Sequence, residues 1–238
     1  MKDAEYEIMY RIEDEFWWFK GLRLLYRDLL NEVKGEKLKI LDAGCGTGRN
    51  MKLLEKYGEI VGVDLSDHAL FFSKKRGNKV VKASITNLPF NDEQFDLVLA
   101  SDVIYHQWVD DQQAMKEFYR VLKRGGYLII NTASYQFMMS EHDKAVMSKV
   151  RYTKSGLKKL IKKSGFGINK IFYWNSFLFL PLAIMRLLKV NTGKSDLKKI
   201  NPSLNKVLFG ILKLERILIK YNLSLPFGLS IMVKAQKI

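Results

Sequence analysis

The sequence predicts an α/β domain: a mostly parallel sheet with helices on both of its faces. Three observations point there. Short apolar runs alternate with stretches of helical periodicity. Three glycines, Gly44, Gly46 and Gly48, stand at alternate positions directly behind the first apolar run. An acid, Asp64, closes the next run sixteen residues past Gly48. With 238 residues, 47% hydrophobic and 12% aromatic, the chain can fill one large core and carry a decoration.

In order, residues 3–33 have a helical pattern that includes the aromatic cluster "FWWFKG" at 16–21. Strands are expected at 39–42, 59–64, 79–82 and 95–101, then through "RGGYLIINT", with helices after the glycines, over 69–75 and over 114–122. "TKSGLKKLIKKSGF" reads as a basic helix with Thr153 as its N-cap. A sixth strand falls at 168–174 and a seventh in "GLSIMVKAQKI". About fifty residues, 175–226, separate these two, where a hairpin needs only a few.

A strand, a glycine turn and a helix start make a nucleotide-type site, because bare backbone lets a ligand approach N–H groups closely. The spacing is G-x-G-x-G rather than the G-x-G-x-x-G of dinucleotide sites, which suits a ligand without a pyrophosphate. Cys45 is the only cysteine, so no disulfide forms within the chain, which fits a reducing, cytoplasmic setting. The acidic start "MKDAEYEIMYRIEDEF" has no signal-peptide core, and no apolar run reaches a membrane-spanning length.

"ILDAGCGTG" resembles motif I of the class I S-adenosylmethionine-dependent methyltransferases, and the similarity continues through "LPF…FDLV" and "LKRGGYLII", over residues 39–132. The resemblance implies a Rossmann-like, seven-stranded sheet whose last strand is antiparallel. It implies S-adenosylmethionine as cofactor. Asp42 would order the turn. Gly44, Cys45, Gly46 and Gly48 would form the cradle, with Asp64 on the ribose hydroxyls and Leu65 beside it. Ser84 stands where the family usually has an acid and would reach the adenine amino group without charge, next to Ile85. Ser101, closing the fourth strand, would contact the cofactor, and His106, just after it, would lie by the methionine end. "EDEFWWFKGLR" resembles an N-terminal element of a glycan- and lipid-linked subset; Trp18 and Arg23, with Trp17 and Phe19, would cap the cleft or pack the first helix onto the sheet. His106 and His142 are the candidate proton carriers. No metal site is expected. The N/D-P-P-Y/F type motif of nucleobase-amine methylation is absent after the fourth strand, where the chain reads "SDVIYHQW".

Residues 151–238 carry 18 Lys and Arg against two acids, while the first 150 are nearly balanced. A one-sided excess suits an anionic partner: an anionic membrane surface, a charged substrate or nucleic acid. Residues 203–221 read as a basic amphipathic helix with Leu204, Val207, Leu208, Ile211 and Leu218 on one side and Lys206, Lys213 and Lys220 opposite. It would cover its own domain or lie on a membrane. Glu215 interrupts the apolar side, so it should pair with an arginine or hydroxyl, enter the substrate cleft, or sit wet in an unwound turn. The apolar run 177–185 suits the core, a dimer contact or a channel for a greasy substrate.

The expected organisation is a helical cap over 1–35, a cofactor-binding catalytic domain over 36–174 and 227–238, and a basic helical cover over 175–226. The expected reaction is methyl transfer, most simply to oxygen, on a small or lipid-linked, partly apolar acceptor in the cytoplasm or at a membrane. An RNA methyltransferase and a non-catalytic cofactor-binding protein are the alternatives; nothing in the sequence fixes the oligomeric state.

Overall fold

The computed structural model describes residues 1–188 and 200–238; part of the expected 175–226 cover, at 189–199, lies outside the described residues. The chain opens with α1 (Asp3–Ile12) and α2 (Trp17–Leu30). It continues through β1 (Leu38–Ala43), α3 (Met51–Leu54), β2 (Gly58–Asp64), α4 (Asp67–Lys75), β3 (Val80–Lys82), β4 (Phe95–Ser101), α5 (Asp111–Val121) and β5 (Leu122–Ala133). Then come α6 (Glu141–Ala145), α7 (Lys154–Lys163), β6 (Phe166–Trp174), α8 (Phe179–Leu187), α9 (Pro202–Lys220) and β7 (Ser230–Lys237). The helical pattern over 3–33 resolves into two helices, because Phe16 takes extended backbone angles and turns the chain before α2.

The seven strands form one sheet in the order β3-β2-β1-β4-β5-β7-β6, with β7 antiparallel to both its neighbours. Strand order reverses between β1 and β4, and ligands of such sheets bind at that crevice, outside the carboxyl ends of the strands. Along each strand, successive side chains point to opposite faces. Leu41, Val98, Ile130 and Val233 therefore pack with Phe118 of α5 and Leu157 and Ile161 of α7. Ile40, Leu97, Leu99 and Met232 pack on the other face with Tyr26 and Leu29 of α2 and Leu212 of α9.

Thr153 caps α7 as expected, accepting the Gly156 N–H. That helix and α9 lie over opposite faces of the sheet. The positive charge of residues 151–238 is therefore continuous in sequence but divided in space. A single basic face, the basis of the RNA expectation, does not form from these two helices.

The side of α9 that faces the protein is also rotated from the expected one. Leu212 and Glu215 are its buried residues, whereas Val207 and Leu204 are largely exposed. Contacts with the N-terminal helices set this rotation. Gly21 of α2 is so close that an added Cβ would meet Leu212 Cδ1 at 2.3 Å. Asn205 accepts the Trp17 N–H at 2.9 Å and donates to the Glu15 carbonyl at 2.9 Å. Arg216 donates to both oxygens of Asp28 at 2.6 Å.

Glu215 neither enters the cavity nor sits in an unwound turn; its pairing falls on Ser176 rather than on an arginine. It stays within the helix, is 5% exposed, and accepts the backbone N–H of Ser176 at 2.8 Å. A carboxylate inside the apolar interface thus satisfies the chain between β6 and α8. Burial raises its pKa. Among the described residues no helix is long and apolar enough to cross a membrane.

Candidate active site

The glycine turn follows β1 and is held by β2. The N–H groups of Gly44 and Cys45 both donate to the Val63 carbonyl, at 2.8 and 2.9 Å. Gly46 N–H donates to Asp64 Oδ2 at 3.0 Å, and Ser66 N–H to Asp64 Oδ1 at 2.9 Å. Gly44 has φ +78, and a Cβ there would stand 2.4 Å from Val103. Only glycine meets both conditions without strain.

Asp42 does not order this turn through its side chain, as the resemblance implied. Both its carboxylate oxygens are buried without a hydrogen-bond partner among the described residues. Burial, then the charge of Asp64, pushes its pKa up to about 7.

A cavity of about 770 Å³ opens over the carboxyl ends of the strands. That is within the ~300–1,000 Å³ range of small-molecule sites. Its walls include, of the expected residues, Gly44, Cys45, Gly46, Asp64, Leu65, Ser84, Ile85, Ser101, His106, His142 and Trp18. Gly48 and Arg23, like Asp42, lie off the wall. A Cβ on Gly48 would collide with Ser73 and Asn78, so this glycine seats the turn against the α4 segment. Arg23 is buried and donates to the Glu13 carbonyl at 2.6 Å, tying the joint between α1 and α2. Burial lowers its pKa to about 10.

The first helix, within the expected cap over 1–35, adds residues to the wall that sequence reading did not name. Tyr6, Met9 and Glu13 line the cavity. Glu13 accepts from Thr47 of the glycine turn at 2.5 Å and from Arg76 at 2.8 Å. Tyr10 stacks on Phe72 of α4 at 4.7 Å and lies under the Arg76 guanidinium. The acid Glu13 was visible in the sequence, but no local spacing signals a helix that folds back over the turn.

His106 stacks on Trp108, ring centres 5.2 Å apart. Burial lowers its pKa to about 4, so the ring is neutral near pH 7 and only weakly basic. His142 reaches the wall from α6. The better matched proton acceptor is Asp102, which follows β4 directly and also lines the cavity. It accepts from Asn131 Nδ2 at 2.7 Å, and the Ser101 hydroxyl lies 3.4 Å away. Asn131 accepts in turn from Trp174 Nε1 at 2.8 Å, and Ser101 from the Tyr26 hydroxyl at 2.7 Å. Burial raises the Asp102 pKa to about 7 against these hydrogen bonds. Asp102 has φ +53, an uncommon conformation for an aspartate, fixed here by the strand end. Its place in "SDVIYH" was the available signal.

These residues suit a nucleoside carrying a cation. Asp64 offers two carboxylate oxygens to a diol, and Ser84 and Ile85 stand beside it on the wall. Two of the arginines at the wall are already matched to carboxylates: Arg49 pairs with Asp14, and Arg151 with both oxygens of Asp143 at 2.7 and 2.9 Å. A pyrophosphate would meet the carboxylates of Asp64, Asp102 and Glu13 instead. Acidic and aromatic walls favour a sulfonium.

This is the fold of a class I methyltransferase, and comparison with known proteins agrees. The model of a family described as "Methyltransferase domain" matches residues 41–130. An uncharacterized protein of Methanocaldococcus jannaschii is 32% identical over 166 residues, covering 68% of this chain and 67% of that one. A probable S-adenosylmethionine-dependent methyltransferase of Mycolicibacterium smegmatis is 28% identical over 51% of this chain and 47% of its own. The chain spans about half the length of the first curated relatives it matches. Among solved structures, a methyltransferase of Thermotoga maritima described as a possible histamine N-methyltransferase superposes with a TM-score of 0.62. It has 21% identity and covers 99% of this chain and 96% of that one, which is a likeness of fold. The chain belongs to the class I S-adenosylmethionine-dependent methyltransferases.

Proposed function

We propose that this protein transfers a methyl group from S-adenosylmethionine to an oxygen of a small or lipid-linked, partly apolar acceptor. One observation supports this most directly: a single cavity has a carboxylate-lined nucleoside end and an apolar end. The apolar end is built by Leu182 of α8 and by Leu204 and Leu208 of α9, and Asp102 lines the same cavity.

The cofactor supplies an already activated methyl on a positively charged sulfur. The work left to this chain is orientation, exclusion of water and removal of one proton. Orientation can contribute roughly 7–11 kcal/mol in well-aligned cases. Gly46 and Asp64 fix the nucleoside end through backbone and carboxylate. Trp18, packed 5.5 Å from Trp174, shields the cavity roof. Asp102 accepts the proton of the acceptor hydroxyl, and Asn131, with Ser101 beside it, holds its Oδ2 in place. With a pKa of about 7, Asp102 is about half ionised at neutral pH and basic enough to take a proton, the condition for an effective general base. The histidine ring of His106 serves to align the acceptor.

The experiment is thermal denaturation with and without S-adenosylmethionine. A turnover screen of lipid extracts, small hydroxy compounds and RNA follows, read by product mass. A cofactor-dependent rise in melting temperature and a +14 Da product from the lipid or small-molecule pool is the expected result; roughly, this increment is one CH₂. Methylated RNA with unmodified lipid pools would overturn the acceptor reading. No cofactor-dependent rise would overturn the activity itself.

A further inference from the structure

Of the eighteen large hydrophobic residues that are exposed among the described residues, twelve fall between Phe177 and Leu223. They are not scattered. On α9, Leu204, Val207, Leu214 and Tyr221 are exposed at spacings of three and seven, with Ile211 and Leu218 half-buried between them. This is one stripe along the helix. Lys206, Lys213 and Lys220 repeat every seven residues and run parallel to it, with Ile217 between. On α8, Leu180, Ile184 and Leu187 form a second exposed row at helical spacing, while Phe179 and Ala183 dock the helix. Both helices border the same cavity: Leu182 and Arg186 from α8, and Leu204 and Leu208 from α9, line it.

We infer that this α8–α9 surface docks on the face of an anionic lipid bilayer, so that the apolar end of the cavity opens at the membrane. Charge selects this occupant. Among the described residues of the 175–226 segment, the one carboxylate is Glu215, and it is buried against Ser176. Among the described residues of α8 and α9, the exposed surface thus offers lysines beside apolar side chains and no acid. Such a helix lies in the headgroup layer, with its apolar side inserted and its lysine stems reaching up to the phosphates. A second copy of the chain would bring two lysine rows together with no acid among the described exposed residues of α8 and α9 to offset them. Neither helix is long and apolar enough to cross the bilayer, so docking is peripheral.

The docking does not depend on the methyl-transfer proposal and is measured without cofactor. Purified protein is floated with vesicles of phosphatidylcholine alone and with vesicles containing one third phosphatidylglycerol, at low and high salt. Binding to the anionic vesicles is expected, weakened by salt. The triple variant Lys206→Glu, Lys213→Glu, Lys220→Glu should bind on the order of a hundredfold more weakly or worse, since each lysine near such a surface contributes about tenfold or somewhat less. Leu214→Glu with Ile217→Glu should lose at least tenfold at any salt. These residues do not line the cavity, so a circular dichroism melt like the wild type's shows that the variants fold. No flotation of wild-type protein with anionic vesicles overturns the inference. So does sedimentation showing a dimer that Leu214→Glu with Ile217→Glu dissociates.

Discussion

The two ends of the cavity are built by different means. At the nucleoside end, the shape comes from backbone: carbonyl and carboxylate acceptors on β2 fix the N–H groups of the glycine turn within a few residues of each other in space. At the cover end, the shape comes from side chains of α8 and α9, held to the rest of the molecule by contacts from α2 and the α1–α2 joint. The first end is rigid and local in sequence. The second is assembled from segments some 190 residues apart, such as Trp17 and Asn205. Recognition of a common cofactor belongs at the rigid end, and choice of acceptor at the assembled one.

The largest effect is expected at the nucleoside end. Asp64→Ala removes both the diol acceptor and the partner of Gly46 N–H, and should abolish cofactor-induced stabilisation in a thermal shift assay; an unchanged shift would remove Asp64 from the site. Asp102→Asn should lower kcat by roughly 10²–10⁴-fold, the range of general base catalysis, while cofactor affinity changes little. Wild-type kcat should rise as pH climbs through about 7, where Asp102 loses its proton, and level off above. A wild-type profile that is flat from pH 5 to 9 would sink the assignment.

Asp42→Asn tests the buried carboxylate that holds nothing. Its folded pKa of about 7 is above the unfolded value, so the contribution to stability is present at low pH and is lost as pH rises toward 7. The variant should therefore gain stability relative to wild type between pH 4 and pH 8, as read by urea denaturation. A difference that does not vary with pH would show that Asp42 has a charge partner. At the cover end, Gly21→Ala forces Leu212 aside and should cost about 1–3 kcal/mol, typical of overpacking. Its mark would be a changed acceptor KM with cofactor binding intact; loss of cofactor binding instead would mean that the two ends are not separable.

Much of the nucleoside end was legible in advance because its signals are local. Glycines at alternate positions need a bare backbone, and an acid at the next strand end needs to reach it. Strand and helix periodicities gave the seven strands and the cap at Thr153 for the same reason. Asp102 was harder to find, since an aspartate after a strand is ordinary until it is seen to line the cavity with Oδ2 held by Asn131. The folding of α1 over the turn, and the Glu13–Thr47 bond it makes, have no short-range signature.

By itself the sequence determined the sheet, the glycine cradle with Asp64, and that residues 203–221 would be a basic amphipathic helix. Only tertiary structure decided which side of that helix is covered. Periodicity places residues around a helix axis, but the rotation of the axis against its neighbour is set by close packing, here of Leu212 on Gly21 and of Arg216 on Asp28. The same packing put α7 and α9 on opposite faces of the sheet and so divided a charge that is continuous along the chain.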